Sequence, residues 1–179
     1  MCLIGLLLIS PLLALICFII FMEDGAPVLF SQERLGLNKE VFRIYKLRTM
    51  NKETPQAGTH DVGINYYLKT GSLIRALKLD EFPQLFNIIV GDINLVGPRP
   101  GLPEQSELAE QRLKKNIFSI KPGITGLAQI SGYDMSNPKK LAEIDKIYLQ
   151  EKSFKLDATI LIGTFFSYPR TYLKNKFNI

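Results

Sequence analysis

Hydrophobic residues are distributed unevenly along the chain, because residues 1 to 22 contain no charged side chain at all. The run from Leu3 to Met22 would form about 30 Å of helix, which is close to the thickness of a bilayer core. Ser10-Pro11 lies near its middle, where proline removes a backbone hydrogen bond and its ring collides with the preceding turn. The pattern predicts an apolar membrane helix that bends or breaks at Ser10-Pro11.

In the segment that follows the apolar run, basic residues outnumber acidic ones. This excess of positive charge places the flank in the cytosol by the positive-inside tendency. A kinked helix could either cross the membrane or turn back, and the sequence leaves both open. A secretory signal is disfavoured, because no positive residue precedes the run. The basic residues of the flank are Arg34, Lys39, Arg43, Lys46, Arg48 and Lys52.

A β-hairpin is predicted after the membrane segment. Residues 27 to 35 and 41 to 48 are rich in Val, Phe, Ile and Tyr, and Gly36-Leu37-Asn38-Lys39 separates them. Residues 51 to 65 have few apolar anchors and predict a loop. Residues 91 to 101 and 121 to 132 are so rich in glycine and proline that we expect shaped loops there rather than regular elements.

Helices are predicted on both sides of these loops. Ser72 to Leu79 repeats apolar residues at helical spacing, and a second helix is expected to begin at Asp80 with Pro83 in its first turn. Asn137-Pro138 is a cap followed by proline at the first helical position. The apolar face of that helix would consist of Leu141, Ile144 and Tyr148.

Ala158 to Tyr168 is a second apolar stretch, too short to span a bilayer and surrounded by basic residues. It predicts either an amphipathic helix in the membrane interface or a part of the core, and the sequence leaves both open. Taken together, the elements predict an α+β fold, a small and mostly helical domain with a β-hairpin.

Composition narrows the classes of partner and chemistry. The net charge of +5 and the pI near 9.2 favour anionic partners, which are nucleic acid, acidic lipids or phosphorylated small molecules. Both cysteines, Cys2 and Cys17, fall in the apolar segment, which excludes a disulfide framework or a zinc site in the polar domain. The only histidine, His60, lies in a polar stretch and is expected in a solvated loop, so chemistry that needs a Ser/His pair is disfavoured.

Asp80-Glu81 is the most suggestive pair for chemistry. A carboxylate at a helix N-terminus sits in a positive field that holds it ionised and that also attracts phosphate. Acidic residues in a first turn also serve simply to cap the helix dipole, so the pair alone does not establish a site. Neighbouring helix positions diverge by about 100°. The two acids are therefore expected to have different roles.

Several longer motifs occur in a single order along the chain. They are SP in the apolar segment, FSQERLG, FRIYKLRTM, LDEFPQL, GDINLVGPRP and KPGITGLAQISG. This order resembles the monotopic phosphoglycosyl transferases, the bacterial sugar transferase family that starts lipopolysaccharide, capsule and glycoprotein glycan synthesis. The resemblance covers roughly residues 6 to 165.

The resemblance implies a particular organisation at the membrane. Residues 1 to 22 would form a re-entrant membrane helix broken at Ser10-Pro11, and residues 23 to 179 a cytosolic catalytic domain with a C-terminal interfacial helix. The enzyme would lie on the cytosolic face of the bacterial inner membrane, with membrane lipids among its partners.

It also implies a reaction, in which a phosphosugar passes from a UDP-sugar to polyprenyl phosphate and UMP is released. Asp80 would be the nucleophile, Glu81 would assist it, and both would hold Mg²⁺. An aspartyl-phosphosugar intermediate would split the transfer into two steps. The residues implied in substrate binding are Arg75, Pro98, Arg99, Pro100 and Asp145.

One departure and two competing hypotheses accompany this interpretation. The family commonly has Thr-Ser where this chain has Leu77-Lys78, so contacts of that hydroxyl pair are not expected. A membrane-tethered basic binding module without turnover and an inactive scaffold relative are the alternatives. Nucleic-acid binding is not expected, because the chain has no tryptophan and no aromatic-basic motif of a known reader. The sugar, the glycan pathway and a homo-oligomeric state are left open.

Overall fold

The structure is a computed structural model that describes residues 2–54 and 66–179, with side chains described from residue 8 onward. Most of the predicted loop 51 to 65, including His60, lies outside the described residues. The chain divides into two compact units. The first unit comprises Met1–Gln32 and Arg43–Val90, and the second comprises Glu33–Phe42 and Gly91–Ile179.

Helices and short strands alternate in both units, which confirms the α+β class. A hairpin of β1 (Leu29–Leu35) and β2 (Val41–Leu47), joined by the 3-10 turn Leu37–Lys39, contributes residues to both units. The other elements of the first unit are α1 (Cys2–Asp24), α2 (Gly71–Ala76), the 3-10 turn Leu79–Glu81 and α3 (Gln84–Val90). Those of the second unit are β3 (Asn94–Val96), α4 (Ser106–Lys114), the 3-10 turn Ile117–Ser119, β4 (Gly123–Thr125), α5 (Leu127–Ile130), α6 (Pro138–Glu151), α7 (Phe154–Phe165) and α8 (Ser167–Phe177).

Helix α1 runs without interruption through Ser10 and Pro11. The predicted break is therefore not an end of the helix, because proline removes only its own N–H donor and the flanking turns keep their bonds. Within residues 2–54 and 66–179, no helix has both the length and the apolar character needed to cross a membrane. The re-entrant arrangement and the division at residue 22 stay predictions.

The C-terminal half of α1 packs onto the first unit. Ile16 and Ile20 are buried in a core with Leu47, Leu68 and Ile74. Other large apolar side chains of the same helix are exposed, which leaves α1 with an apolar surface outside the core. They are Leu8, Leu12, Leu15, Phe18, Ile19, Phe21 and Met22.

The end of α1 is tied to β2 and α2 by charged groups. The buried Arg48 donates from Nη2 to the carbonyl oxygens of Gly25 and Asp24, at 2.7 and 3.3 Å, and its Nη1 lies 2.9 Å from Asp24 Oδ2. Its charge matches the negative end of the helix dipole. Glu23 accepts from the hydroxyl and the amide of Thr70, which precedes α2. The last turn of α1 is thus fixed in the first unit.

The two glycine-rich segments, predicted as irregular loops, each contain a short strand. β3 and β4 pair in parallel, with Asn94 opposite Gly123 and Val96 opposite Thr125. A Cβ on Gly123 would lie 2.1 Å from the amide nitrogen of Gly97. The glycines therefore serve close backbone approach between distant segments, which a local sequence pattern does not reveal.

The core of the second unit lies among α5, α6, α7 and α8. The predicted helix start at Asn137 is confirmed, because its side chain accepts from the amide of Lys140 at 3.1 Å and α6 begins at the next residue. The predicted apolar face of α6 is also confirmed, since its three residues are at most 2% exposed. These residues are Leu141, Ile144 and Tyr148.

The apolar stretch 158 to 168 forms most of α7 and the corner to α8. Ile160 and Gly163 are buried in the core, whereas Phe165, Phe166 and Tyr168 are 63 to 81% exposed. Arg170 holds this corner by donating from Nη2 to the carbonyl of Thr164 at 2.8 Å and from Nε to the carbonyl of Gly163. We call Phe165, Phe166 and Tyr168 the aromatic corner.

Candidate active site

Asp80 and Glu81 lie in the 3-10 turn Leu79–Glu81, between α2 and α3. The prediction of an α-helix beginning at Asp80 is wrong. Helix α3 begins only at Gln84, directly after Pro83, and the turn is entered through Lys78 in the left-handed conformation (φ 55°). Left-handed backbone cannot continue an α-helix, so α2 and α3 are separated at Lys78. The pair therefore sits in a tight turn and not at a helix N-terminus.

Glu81 is paired with a lysine of the hairpin. Lys46 Nζ on β2 lies 3.1 Å from Glu81 Oε1, and the two side chains are 15% and 19% exposed. Partial burial makes such a pair stronger than a surface ion pair. The pair fixes the direction of the Glu81 carboxylate beside Asp80.

Asp80 is the more deeply buried acid, with 6% of its surface exposed. Burial raises the pKa of its carboxyl, and Glu81 adds to the rise, whereas the positive charges of Lys46 and Arg75 lower it. The expected helix-dipole field is thus not what sets the charge of Asp80. The pKa of Asp80 is set first by burial and then by the charges of Lys46, Glu81 and Arg75, all in the first unit.

Arg75, on α2, is positioned by an aromatic ring. Its Nη1 donates to the hydroxyl of Tyr67 at 2.8 Å, and its guanidinium carbon lies 5.1 Å from the centroid of the same ring. Stacking of a guanidinium on a ring fixes its orientation. Arg75 is therefore an oriented cation whose charge acts on Asp80.

Asn87 joins the two elements that carry these residues. Its side chain lies on α3, is fully buried, accepts from the amide of Tyr45 at 3.2 Å and donates to the carbonyl of Arg43 at 2.7 Å. Tyr45 directly precedes Lys46 on β2. Asn87 thereby ties β2, which carries Lys46, to α3, which follows Glu81 in the chain.

The second unit contains the other predicted substrate-binding residues. Pro98 and Pro100 are buried, and Arg99 between them is partly exposed. Asp145 on α6 lies in the interior, where its Oδ2 accepts from Nε and Nη2 of Arg112 at 3.0 and 2.7 Å. Its side chain is 3% exposed and pairs with Arg112 in the interior. Its part in substrate binding stays a prediction.

The structure thus brings Arg75, Asp80 and Glu81 together in the first unit. It places Pro98, Arg99 and Asp145 in the second unit, with Pro100 beside Arg99. Ser10 and Pro11, the predicted helix break, are exposed residues within α1.

Comparison with known proteins matches most of the chain to one family. Residues 1–170 match the sequence profile of the family described as Bacterial sugar transferase.

The chain belongs to the bacterial sugar transferase family.

Similar proteins of this family include the uncharacterized sugar transferase EpsL of Bacillus subtilis (strain 168), 41% identical over 82% of this chain and 72% of that protein. The UDP-glucose:undecaprenyl-phosphate glucose-1-phosphate transferase of Klebsiella pneumoniae is 33% identical over 90% of this chain and 37% of its own length. The UDP-N-acetylgalactosamine-undecaprenyl-phosphate N-acetylgalactosaminephosphotransferase of Aeromonas hydrophila is 36% identical over 88% of this chain and 39% of its own length. The chain thus spans about two fifths of the last two relatives.

A magnesium site in this bacterial sugar transferase would use the acidic pair. Among residues 2–54 and 66–179, no group of three or more His, Cys, Asp or Glu side chains could hold a metal ion. Mg²⁺ in phosphate chemistry is usually held by only one or two carboxylates, with substrate phosphates and water as the remaining ligands. Asp80 and Glu81, adjacent in one turn, fit that donor set.

Several residues of the site were not singled out by the sequence. Lys46 was recognised only as one of the basic residues of the hairpin, and Tyr67 and Asn87 not at all. Arg34, like Lys46, was recognised only as a basic residue of the hairpin, and Arg112 was missed. Lys46 and Arg34 fall within the motifs FRIYKLRTM and FSQERLG, so motif membership was the available signal for these two.

Proposed function

We propose that this protein transfers a phosphosugar from a UDP-sugar to polyprenyl phosphate, releasing UMP and giving a polyprenyl diphosphate sugar. The observation that carries the proposal is the buried carboxyl of Asp80, whose pKa the charges of Lys46 and Arg75 lower, next to the Glu81–Lys46 pair. The names of the Klebsiella and Aeromonas relatives, which describe transfer of a sugar phosphate to undecaprenyl phosphate, support it.

In the first step, a carboxylate oxygen of Asp80 attacks the sugar-bearing phosphorus of the donor diphosphate. A bond forms between that oxygen and phosphorus, and the bond from phosphorus to the bridging oxygen breaks. The electron pair leaves with UMP, and the sugar phosphate remains on Asp80 as an acyl phosphate. Burial in the turn keeps water away from this reactive anhydride.

In the second step, a phosphate oxygen of the lipid attacks the same phosphorus. The bond to Asp80 breaks, the carboxylate is regenerated and the polyprenyl diphosphate sugar leaves. Each step exchanges one phosphorus–oxygen bond for another, so no oxidant or reductant is needed. Release of the carboxylate in this step requires that Asp80 be stable in its ionised form, which Lys46 and Arg75 favour.

The cations of the site would neutralise the phosphoryl group as it is transferred. Catalysis of phosphoryl transfer comes mainly from positioning and from charge stabilisation. Arg75 is suited to grip phosphate oxygens because its planar fork offers paired donors. Lys46 is a compact charge that also holds the Glu81 carboxylate in place. When bound by Asp80 and Glu81, Mg²⁺ would neutralise further charge on the donor diphosphate.

The proposed location is the cytosolic face of the bacterial inner membrane. Support comes from two exposed apolar surfaces, the outer side of α1 and the aromatic corner of α7 and α8. Phenylalanine, tyrosine and lysine together suit the membrane–water interface. Lys174 and Lys176 on α8 would meet acidic lipid headgroups.

The experiment that tests the function is a transfer assay with the full chain in detergent or vesicles. Labelled polyprenyl phosphate is incubated with a panel of UDP-sugars and Mg²⁺, and the lipid product is separated by chromatography. Formation of a polyprenyl diphosphate sugar from at least one donor is expected. Binding of donor or lipid without product, across a panel that includes UDP-glucose, UDP-galactose and their N-acetylated forms, would favour a binding module instead.

A further inference from the structure

The turn from Pro98 to Gly101 has every one of its backbone carbonyls held by a partner that is distant in sequence. Pro98 accepts from the amide of Gly123 at 2.9 Å, and Gly101 accepts from the amide of Leu35, also at 2.9 Å. Between them, the carbonyls of Arg99 and Pro100 accept from the side chains of two other arginines. Four consecutive carbonyls are thus fixed, and the two prolines restrict the backbone further.

Arg112 is the first of these arginines. Its Nη1 donates to the carbonyl of Arg99 at 2.8 Å, while its Nε and Nη2 donate to Asp145 Oδ2. The side chains of Arg112 and Asp145 are 4% and 3% exposed, so solvent does not compete for these bonds. A guanidinium can contact a carboxylate and a carbonyl at once because its donors form a rigid fork, which a lysine lacks.

Arg34, on β1, is the second arginine that donates to this turn. Its Nη1 donates to the carbonyl of Pro100 at 3.1 Å. Burial lowers the pKa of Arg34 to about 10, the charge of Arg99 lowers it too, and Glu104 opposes the effect. The guanidinium of Arg34 therefore stays charged at neutral pH and lies close enough to that of Arg99 for the two to repel. The two neighbouring positive charges give the Arg99 turn a field that attracts anions such as phosphate.

We propose that Arg112 and Arg34 are positioning residues, which hold the backbone of Arg99 so that its side chain is presented to a phosphate group. Asp145 acts one step further away, by fixing the guanidinium of Arg112. The inference rests on the proposed function for the identity of the phosphate, which belongs either to the UDP-sugar or to the polyprenyl lipid. In this proposal Arg112 and Asp145 contribute to substrate binding only by fixing the turn that contains Arg99.

A kinetic double-mutant cycle tests the positioning role. Arg112→Lys keeps the charge and loses the fork, and is expected to raise the KM of the substrate whose phosphate meets Arg99 by on the order of ten-fold. In an Arg99→Ala background the same change should have no further effect. The KM that rises, for the UDP-sugar or for the lipid phosphate, identifies the source of the phosphate. Equal effects in both backgrounds, or no effect on either KM, would overturn the proposal.

A matched control separates positioning from loss of stability. Ile160→Val removes one methyl group from the fully buried side chain on α7 and should lower the midpoint of thermal unfolding by about 2–4 °C. Its effect on either KM should be the same with Arg or Ala at position 99. If Arg112→Lys does not fold, as judged by thermal unfolding, Arg34→Lys is measured in the same cycle, since it removes the guanidinium bond to the carbonyl of Pro100.

A second measurement needs no turnover. Phenylglyoxal modifies arginine side chains, and mass spectrometry of the peptide that contains Arg99 gives its rate of modification. Pyrophosphate is expected to slow this rate in the wild type, and Arg112→Lys is expected to lose that protection. Retained protection in the variant, or none in the wild type, would contradict the positioning role. Protection in the wild type without any transfer activity would instead count against the proposed function alone.

Discussion

The ammonium of Lys46 lies 3.1 Å from Oε1 of Glu81, and the same ammonium lowers the pKa of the neighbouring Asp80. One lysine on the hairpin thus acts on both acids of the turn between α2 and α3. Removing it would leave Glu81 without this cation and would favour the protonated form of Asp80. The charge state of the proposed nucleophile therefore depends on a residue from a different element.

The pH dependence of the reaction should follow from this arrangement. Because burial raises the pKa of Asp80 above its ordinary 3.8, activity should be lost as the pH falls through the raised value. Lys46→Met removes a cause that lowers the pKa, so the acid limb of the kcat/KM profile should move to higher pH. Glu81→Gln removes a cause that raises it, so the limb should move to lower pH.

The control for these shifts is Lys52→Met, which changes an exposed lysine of the same unit. Its acid limb should coincide with that of the wild type. An acid limb that stays in place in Lys46→Met, while the Lys52→Met profile is also unchanged, would show that Lys46 does not control the ionisation of the catalytic group.

Metal removal should abolish transfer. The donor diphosphate brings negative charge to a turn that already contains two carboxylates, so a divalent cation is needed to offset the repulsion. Excess chelator is expected to stop product formation, and added Mg²⁺ to restore it. Glu81→Gln should raise the Mg²⁺ concentration that gives half-maximal activity. Full activity in excess chelator would rule the metal out.

Packing of the β3–β4 pair predicts a large difference between two glycines of the same region. Gly123→Ala would place a Cβ 2.1 Å from a backbone nitrogen and should cost about 3 kcal/mol of unfolding free energy. In Gly132→Ala the new Cβ has no atom within 4 Å, so only the positive φ of 85° opposes the change, and the loss of unfolding free energy should be about 1 kcal/mol. Urea unfolding of both variants measures the difference, and equal losses would show that close approach is not what requires Gly123.

The aromatic corner can be tested with tryptophan, since the chain contains none. In Tyr168→Trp, vesicles with acidic lipids should shift the emission to the blue, and brominated acyl chains should quench it, because the side chain is 81% exposed and flanked by basic residues. Tyr133→Trp, where the tyrosine packs against the core of the same unit, is the matched control and should show neither effect. If the emission of Tyr168→Trp shifts to the blue without vesicles, when only the protein concentration is raised, the aromatic corner makes a contact between copies of the protein and not with a membrane.

Local patterns in the sequence predicted the hairpin and the start of α6 well, because each depends on residues close together in the chain. Asn137 caps the helix that begins at the next residue, and the turn after Leu35 lies where glycine and asparagine place it. The acidic pair Asp80-Glu81 stays a predicted reaction centre. Its predicted setting at the start of a helix is wrong, since the left-handed Lys78 separates two helices without any glycine to mark the position.

Long-range contacts were beyond the sequence. The pairing of β3 with β4 joins two segments that each look irregular, and only the absence of a Cβ at Gly97 and Gly123 allows it. The roles of Asp145 and Arg112 were equally hidden, because a charged residue on a helix is usually solvated. The two residues are recognised as partners of each other only when α4, which carries Arg112, is seen to pack against α6, which carries Asp145.

The most direct test of the account is the release of UMP from a UDP-sugar before any lipid acceptor is added. We expect a burst of UMP no larger than the amount of enzyme, and an adduct of sugar phosphate on the peptide that contains Asp80. Asp80→Asn should give neither, whereas Glu81→Gln should slow the burst. A sample that transfers sugar phosphate to the lipid, yet releases no UMP and traps no adduct without it, would contradict the nucleophilic role of Asp80 and favour direct attack by the lipid phosphate.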